Sequence, residues 1–106
     1  MAKGFDPAEL MKQARALKDQ MAKEQERLKE RVVEGTSGGG MVTAFVNGGS
    51  EIVGIKIDPD AVDPDDVSML EDLIQVAVND GLAKANELSE TEMNKLTGGL
   101  GMGGLF

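Results

Sequence analysis

The first third of the chain carries the hydrophobic pattern of one long helix. Its apolar residues are spaced alternately four and three apart, which is typical of a bundle or coiled-coil helix: Leu10, Ala14, Leu17, Met21 and Leu28. Asp6-Pro7-Ala8-Glu9 supplies an N-cap aspartate, a proline at the first helical position and a glutamate three residues after the cap. We therefore predict a helix from Asp6-Pro7 to about Arg31. Its second half is the poorer match, because charged Glu24 and Arg31 fall at seam positions.

Three short strands are predicted after this helix. Val32–Thr36 is largely β-branched, and glycines at 38–40 break the chain before Met41–Val46. Asn47-Gly48-Gly49 is a strong hairpin signal, and Glu51–Asp58 forms the returning strand. Together these segments predict a short antiparallel meander.

Alternation along the last two strands predicts which side chains form the core. Val42, Ala44 and Val46 share one face of the middle strand. In the third strand, we expect the core-facing set to be Val53, Ile55 and Ile57. The opposite face of the sheet would then carry Phe45, Ile52 and Lys56.

A second long helix is predicted to end the folded part of the chain. Asp58-Pro59-Asp60 makes a turn, and Asp63-Pro64 repeats the pattern of cap and proline that begins the first helix. A wide apolar stripe follows, broad enough to lie on a sheet, made of Val67, Leu70, Leu73, Ile74, Ala77, Val78, Leu82, Ala85 and Leu88. Gly81 reads as a mild interruption of this helix. After Thr97, five of the nine residues are glycine, so residues 98–106 are predicted to be a flexible tail.

The predicted order is helix, three strands, helix, which makes residues 6–97 a single α+β domain. The first helix, at about 26 residues, would be about 39 Å long, whereas a seven-residue strand covers only about 23 Å. The helix should therefore extend beyond its own sheet and leave part of its apolar seam uncovered. A second copy of the chain is the simplest cover, since two-fold homodimers dominate soluble oligomers.

Composition removes most catalytic and metal-binding chemistry. The 106 residues include neither cysteine nor histidine, so disulfides, thiol catalysis, the usual general base and the commonest zinc ligand are all missing. We expect no enzyme activity, no cofactor, no bound metal and no small-molecule substrate. The sequence also has no membrane-length apolar run and no signal-peptide pattern, which predicts a cytoplasmic protein that does not engage a membrane.

Net charge is unevenly distributed along the chain. The total is −8, which by itself argues against binding to nucleic acid. Residues 1–31, however, carry eight basic and six acidic side chains and are +2, whereas residues 32–106 carry three against thirteen and are −10. Any anionic ligand should therefore bind through the first segment.

Two other stretches resemble known ligand-binding loops but match their patterns poorly. A calcium loop opening at Asp58 would need an oxygen ligand, a glycine and a glutamate where the chain has Val62, Asp63 and Met69. The glycine run at 37–40 joins two predicted strands and lacks the Gly-Lys-Ser/Thr that completes a nucleotide loop. Turn and cap chemistry accounts for both.

Basic side chains of the first helix are the remaining candidates for a binding site. At about 100° per residue, Arg15, Lys18 and Lys29 fall on an arc without acidic side chains. Three further basic residues lie on the other flank, interleaved with Glu9 and Glu30: Lys12, Lys23 and Arg27. The alternative is an ordinary solvated helix with ion pairs one turn apart, such as Asp19–Lys23 or Glu26 with Lys23 or Lys29.

Several local patterns follow one another along the chain, from about Leu10 to Met93, about four-fifths of its length. They are Leu10–Ala14, Val32–Gly35, Gly38–Val42, Val46–Gly48, Ile57–Pro59 and Met69–Ile74, with Ala77, Asn79-Asp80 and Ala83-Lys84 after the last of these, and a tail rich in glycine and methionine. In this order they resemble the YbaB/EbfC family of bacterial nucleoid-associated proteins. The order of the patterns, rather than any one of them, makes the resemblance specific.

This resemblance implies a homodimer of α-β-β-β-α protomers, shaped like tweezers, with paired helices projecting from a central sheet. It also implies binding to duplex DNA with little sequence preference, and roles in nucleoid organisation or gene regulation, which place the protein in the nucleoid. The charge map then selects Arg15, Lys18 and Lys29 as phosphate contacts, followed by Lys12, Lys23 and Arg27.

A different class of function stays open at this point. The acidic second segment favours a protein-interaction scaffold, in which the helices or the apolar tail clamp a protein partner and DNA binding is weak. Salt distinguishes the two, because phosphate contacts weaken steeply with ionic strength and an apolar interface does not.

Overall fold

The structure is a computed structural model that describes residues 6–99. Two helices flank a three-stranded sheet, which confirms the predicted α-β-β-β-α order. The elements are α1 (Pro7–Lys29), β1 (Val32–Ser37), β2 (Val42–Asn47), β3 (Ile52–Ile57), a short 3-10 turn (Pro59–Ala61) and α2 (Val67–Gly99). The molecule is elongated, with principal extents of 78 × 23 × 17 Å.

The predicted capping residue begins α1. The Asp6 carboxylate accepts a hydrogen bond from the Ala8 amide at 3.0 Å, and Pro7 occupies the first turn. The helix ends at Lys29, two residues before the predicted end, because the next two amides close the last turn on carbonyls of Arg27 and Leu28. The chain then enters β1 directly.

The core lies between α2 and the first two strands. The sheet is antiparallel in the order β1-β2-β3, and α2 lies across β1 and β2. Val42, Ala44 and Val46 of the central strand are fully buried, as the alternation predicted. Ala77 of α2 packs against this strand. The core is therefore built on β2, while β3 extends beyond the cover that α2 provides.

A β-bulge in β3 corrects the predicted facing of that strand. Phe45 pairs with Gly54, but the next residue of β2, Val46, pairs with Ile52, so Val53 is the extra residue. Ile52 therefore lies opposite the buried core residue Val46, and the prediction that it belongs on the outer face with Phe45 and Lys56 is wrong. Val53 is 55% exposed.

Both ends of α2 differ from the prediction. Asp63-Pro64 forms a turn rather than the helix start, and the carboxylate of Asp66 caps α2 by accepting from the Met69 amide at 3.2 Å. At the other end the helix continues to Gly99, so the first two residues of the predicted flexible tail are helical. The rest of that tail, residues 100–106, lies outside the described residues.

Gly81 is the point at which α2 comes closest to the sheet, rather than a weak spot in the helix. A Cβ atom built on Gly35 of β1 would lie 2.1 Å from the Gly81 amide nitrogen and 2.2 Å from the Ala77 carbonyl oxygen. A Cβ atom on Gly81 would lie 2.7 Å from the Val46 side chain. Only glycine at both positions allows the backbones to approach this closely.

The two edges of the sheet differ in whether side chains bond to their backbone groups. At the outer edge of β1, the Thr36 amide donates to the Asp80 carboxylate at 3.0 Å and Lys84 Nζ donates to the Glu34 carbonyl at 3.1 Å. Asp80 and Lys84 also pair with each other, and the Thr36 amide, followed by Lys84, holds the pKa of Asp80 below its ordinary value. Within residues 6–99, no side chain hydrogen-bonds to the backbone of β3. The β1 edge is closed by side chains of α2, and the β3 edge is open.

Candidate nucleic-acid interface

Exposure decreases along α1 from its first turns to its end. Leu10 and Met11 are 52% and 58% exposed, Leu17 and Met21 are half-buried, and Leu28 is only 1% exposed. Residues 7–24 therefore form a projecting segment, named the arm here, and residues 25–31 form the arm root, where the helix joins the body. The apolar spacing is most regular in the first half of α1, which is also the half whose apolar side chains are most exposed.

The six basic residues predicted as phosphate contacts all have exposed side chains. Four of them lie on the arm: Lys12, Arg15, Lys18 and Lys23. Arg27 and Lys29 lie at the arm root, where Lys29 borders an open cavity of about 280 Å³ against the hairpin turn at 48–50 and Ser89 of α2. The predicted set therefore divides between two surroundings.

Ion pairs separate these two groups more sharply. At the arm root, Arg27 lies 3.6 Å from Glu24 and Lys29 lies 3.7 Å from Glu26. Among the described residues, the four basic side chains of the arm have no acidic partner within 4 Å, and the pair Asp19–Lys23 expected for a plain solvated helix is not formed. The four basic side chains of the arm are therefore free of ion pairs, whereas both basic residues of the arm root that were predicted as contacts are paired.

The arm's geometry suits a charged rod better than a small ligand. Arg15 and Lys18 are separated by one turn, about 4.5 Å along the axis, and Lys12 to Lys23 spans about 16 Å. Duplex DNA presents one charge for each 1.7 Å or so of its axis, so side chains spread along a helix can each meet a phosphate. Such contacts fix position and carry no base information.

The arm root is held against the hairpin between β2 and β3. The Gly48 amide lies 2.9 Å from both the Leu28 and the Arg31 carbonyl oxygens. A Cβ atom on Gly48 would lie 2.5 Å from the Leu28 carbonyl oxygen, so this contact also requires glycine. Below the turn, Asn47 Oδ1 accepts from the amides of Gly49 and Glu51 and keeps the hairpin rigid.

A second attachment joins the arm root to α2. Arg31 donates to Glu92 at 3.0 Å, and Lys95 lies 3.5 Å from the same carboxylate. The hydrogen bond from Arg31, helped by Lys95, lowers the pKa of Glu92. Sequence reasoning did not single out Glu92, because the pair spans 61 positions and neither residue has a local motif.

Two further classes of site find no support in residues 6–99. No group of three or more acidic side chains there is arranged to hold a metal ion. Neither helix, over its described length, has the apolar stretch that a bilayer crossing requires.

Comparison with known proteins identifies chains of the same kind. The model of the YbaB/EbfC DNA-binding family matches residues 3–100. A nucleoid-associated protein of Syntrophobacter fumaroxidans is 50% identical over 105 residues, covering 99% of this chain and 93% of that relative. A nucleoid-associated protein of Acetivibrio thermocellus is 49% identical over 113 residues, covering all of both chains. The fold also matches the crystal structure of an uncharacterized protein of Helicobacter pylori, with a TM-score of 0.77 and 25% identity, covering 87% of this chain and 97% of that one.

Proposed function

The chain belongs to the YbaB/EbfC DNA-binding family, and on that premise we propose that it works as a homodimer that grips duplex DNA between its two arms. The contacts are made to phosphates, so binding has little sequence preference. The role that follows is organisation of the nucleoid or control of genes within it, in the cytoplasm.

The observation that carries this proposal is the set of four basic side chains on the arm that form no ion pair among the described residues. Lys12, Arg15, Lys18 and Lys23 are exposed and have no acidic partner among residues 6–99. Binding to phosphate therefore costs them no existing ion pair. Arg27 and Lys29 would first have to give up a glutamate, so they rank below Arg15 and Lys18 as phosphate contacts.

The net charge of −8 is compatible with this function because the two signs are separated in space. The body carries the excess of acidic residues and repels a duplex, whereas the arm carries the free basic side chains. DNA is therefore directed to the arms and kept off the body. Strong weakening by salt follows, since the contacts are exposed and electrostatic.

The second copy is supported by the incomplete cover of β3. Ile55 lies opposite the buried core residue Ala44, yet it is 46% exposed, since α2 packs mainly on β1 and β2. Ile52 and Val53 are also about half exposed on the same strand. An open strand edge beside exposed apolar side chains is the kind of surface that a second β3 and its neighbours cover.

DNA binding is tested by fluorescence anisotropy of a labelled duplex at several salt concentrations. The wild type should bind at micromolar concentration or tighter at low salt, and Arg15→Glu/Lys18→Glu should abolish binding. Gln13→Glu and Gln75→Glu form a matched pair, because both add one negative charge at an exposed glutamine and only the first lies on the arm. Equal losses in the pair, or no binding by the wild type at low salt, would refute the proposed site or function respectively.

The dimer is tested by sedimentation of two other matched variants. Ile55→Glu should shift the protein to monomers, whereas Val76→Glu places the same charge on an exposed valine of α2 and should leave the dimer intact. A monomeric wild type, or a dimer that survives Ile55→Glu unchanged, contradicts the assigned interface.

One observation favours a protein-interaction scaffold as a second candidate. Leu10 and Met11 are large apolar side chains that are more than half exposed on the arm. If the arm clamps a protein instead of DNA, a partner should be retained at high salt and lost in Leu10→Lys/Met11→Lys. Loss of that partner with Arg15→Glu/Lys18→Glu alone would argue against this candidate.

A further inference from the structure

The attachment of the arm to α2 has a consequence for DNA binding that rests on the proposed function. We propose that Glu92 is a positioning residue: by holding Arg31, it fixes the direction in which the arm leaves the body and so the spacing at which the two arms meet DNA. Glu92 itself makes no contact with DNA in this proposal.

Two attachments define the direction of the arm better than one. The first is the packing of buried Leu28 under Gly48, where the backbone contact leaves no room for a Cβ atom. The second is the bond from Arg31 to Glu92, which reaches α2 instead of the hairpin. The first attachment fixes the arm root on the hairpin, and in this proposal the second fixes the angle of the arm to α2.

The length of the arm amplifies any change at its root. From Leu28 to Pro7 the helix is about 31 Å long, so a tilt of about 10° at the root moves the tip by about 5 Å. That displacement exceeds the spacing of successive phosphates along the duplex axis, about 3.4 Å per strand. A modest change at the root is therefore enough to misalign Arg15 and Lys18 on a duplex held by two arms.

The charge of Glu92 and its proposed positioning role predict opposite changes in DNA affinity when Glu92 is replaced by alanine. Removing a carboxylate makes the protein less acidic, so electrostatics alone predicts tighter binding to a polyanion. Loss of the Arg31 anchor predicts weaker binding, even though it also releases an arginine. The sign of the change in affinity thus separates the two roles.

The test uses Glu92→Ala with Glu90→Ala as the matched control. Glu90 is an exposed acid on the same helix, and within residues 6–99 its side chain bonds to Asn86 alone, at 3.5 Å and one turn away. Both variants therefore remove one negative charge, and only Glu92→Ala releases the arm. Glu92→Ala should bind a labelled duplex about two- to fivefold more weakly than the wild type, the range in which exposed ion pairs act. Glu90→Ala should bind as well as the wild type or better.

A distance measurement separates arm direction from every other effect. Because the chain has no cysteine, Gln13→Cys on the arm and Gln75→Cys on α2 place two spin labels without further substitution. Labelled chains are diluted with unlabelled chains, so that the distance within one copy is read. The Gln13–Gln75 distribution should broaden in Glu92→Ala and stay unchanged in Glu90→Ala.

The outcomes separate this proposal from the proposed function. Unchanged distances in Glu92→Ala, or affinity that rises as in Glu90→Ala, would overturn the positioning role while leaving DNA binding intact. If the wild type fails to bind DNA, the proposed function fails, yet broadened distances would still show that Glu92 holds the arm.

Discussion

The two helices of this protein begin in a similar way but differ in how much of their length is buried. Each is capped by an aspartate, Asp6 for α1 and Asp66 for α2, and each has a proline near its start, Pro7 within α1 and Pro64 in the turn before α2. Yet α1 has one fully buried residue, Leu28, whereas α2 buries Ala77, Gly81 and Ala85 along its length. The difference lies in the packing partner of each helix, since α2 lies on two strands and most of α1 packs against no other element of this chain.

This contrast indicates which helix stabilises the fold and which is available for binding. Small residues of α2 hold the body together, so changes there should affect the free energy of unfolding. The arm contributes little to the core, and its exposed side chains are free to serve binding. Substitutions in the body and in the arm should therefore affect different measurements, and four predictions follow from that difference.

The largest effect is expected where α2 meets the sheet. Gly35→Ala places a methyl group 2.1 Å from the Gly81 backbone, which cannot yield as a side chain can. Overpacking of this severity should lower the free energy of unfolding by about 3 kcal/mol or more, measured by urea denaturation. Gly98→Ala is the control, because its new methyl group meets no atom within 4 Å. Equal stability of the two variants would contradict the close approach.

The next effect concerns the arm and should leave stability unchanged. Arg15→Gln/Lys18→Gln should reduce the slope of log affinity against log salt by about four, because the proposed dimer loses two phosphate contacts from each of its two arms. Arg27→Gln/Lys29→Gln removes the same charge from side chains already paired with glutamates and should reduce the slope by less than about one. Equal slopes for both variants would remove the distinction between arm and root.

The two caps test the same contrast at a smaller scale. Asp66→Ala should lower the global free energy of unfolding by about 1 kcal/mol, since α2 and the sheet unfold together. Asp6→Ala removes an equivalent bond, but its effect should be confined to the arm. Amide hydrogen exchange would then accelerate in the first turns of α1 alone. A comparable global loss in both variants would show that the arm folds as part of the core.

The smallest effect is a dependence of stability on pH. Asp80 and Glu92 have pKa values lowered in the folded protein by their bonds to Thr36 and Arg31. Their contribution is complete above the ordinary pKa of a carboxyl group and is lost as the pH falls through the lowered, folded values. Asp80→Asn should flatten the acid side of the stability profile measured by thermal unfolding. A profile as steep as that of the wild type would show that Asp80 contributes nothing to it.

Local patterns in the sequence predicted the elements well. The Asp6-Pro7 cap, the alternation of Val42, Ala44 and Val46, and the hairpin signal at Asn47-Gly48 each describe neighbouring residues. Such patterns fix the order of helices and strands because they depend on short-range preferences. The basic residues of α1 were likewise found from their helical spacing.

Features that depend on distant contacts were missed. The sequence alone makes Gly81 an interruption of α2, because the need for glycine there arises only when α2 packs against Gly35 of β1. The bulge at Val53 likewise follows from the pairing of β3 with β2 rather than from the sequence of β3 itself. Asp63-Pro64 and Asp66 offer competing helix starts, and the tertiary position of α2 selects the second. The bond between Arg31 and Glu92 could not be predicted because α2 must first be docked.

The closed edge of β1 limits how far this protein can polymerise. Asp80 and Lys84 occupy hydrogen-bonding groups that an incoming strand would need, so the sheet can grow only from β3. A molecule with one growing end can join one other such molecule, after which no end is left. If two copies pair through β3 as proposed, the sheet ends in a finite pair rather than a fibril, and opening β1 by removing Asp80 and Lys84 would give each copy a second edge from which amyloid-like growth could start.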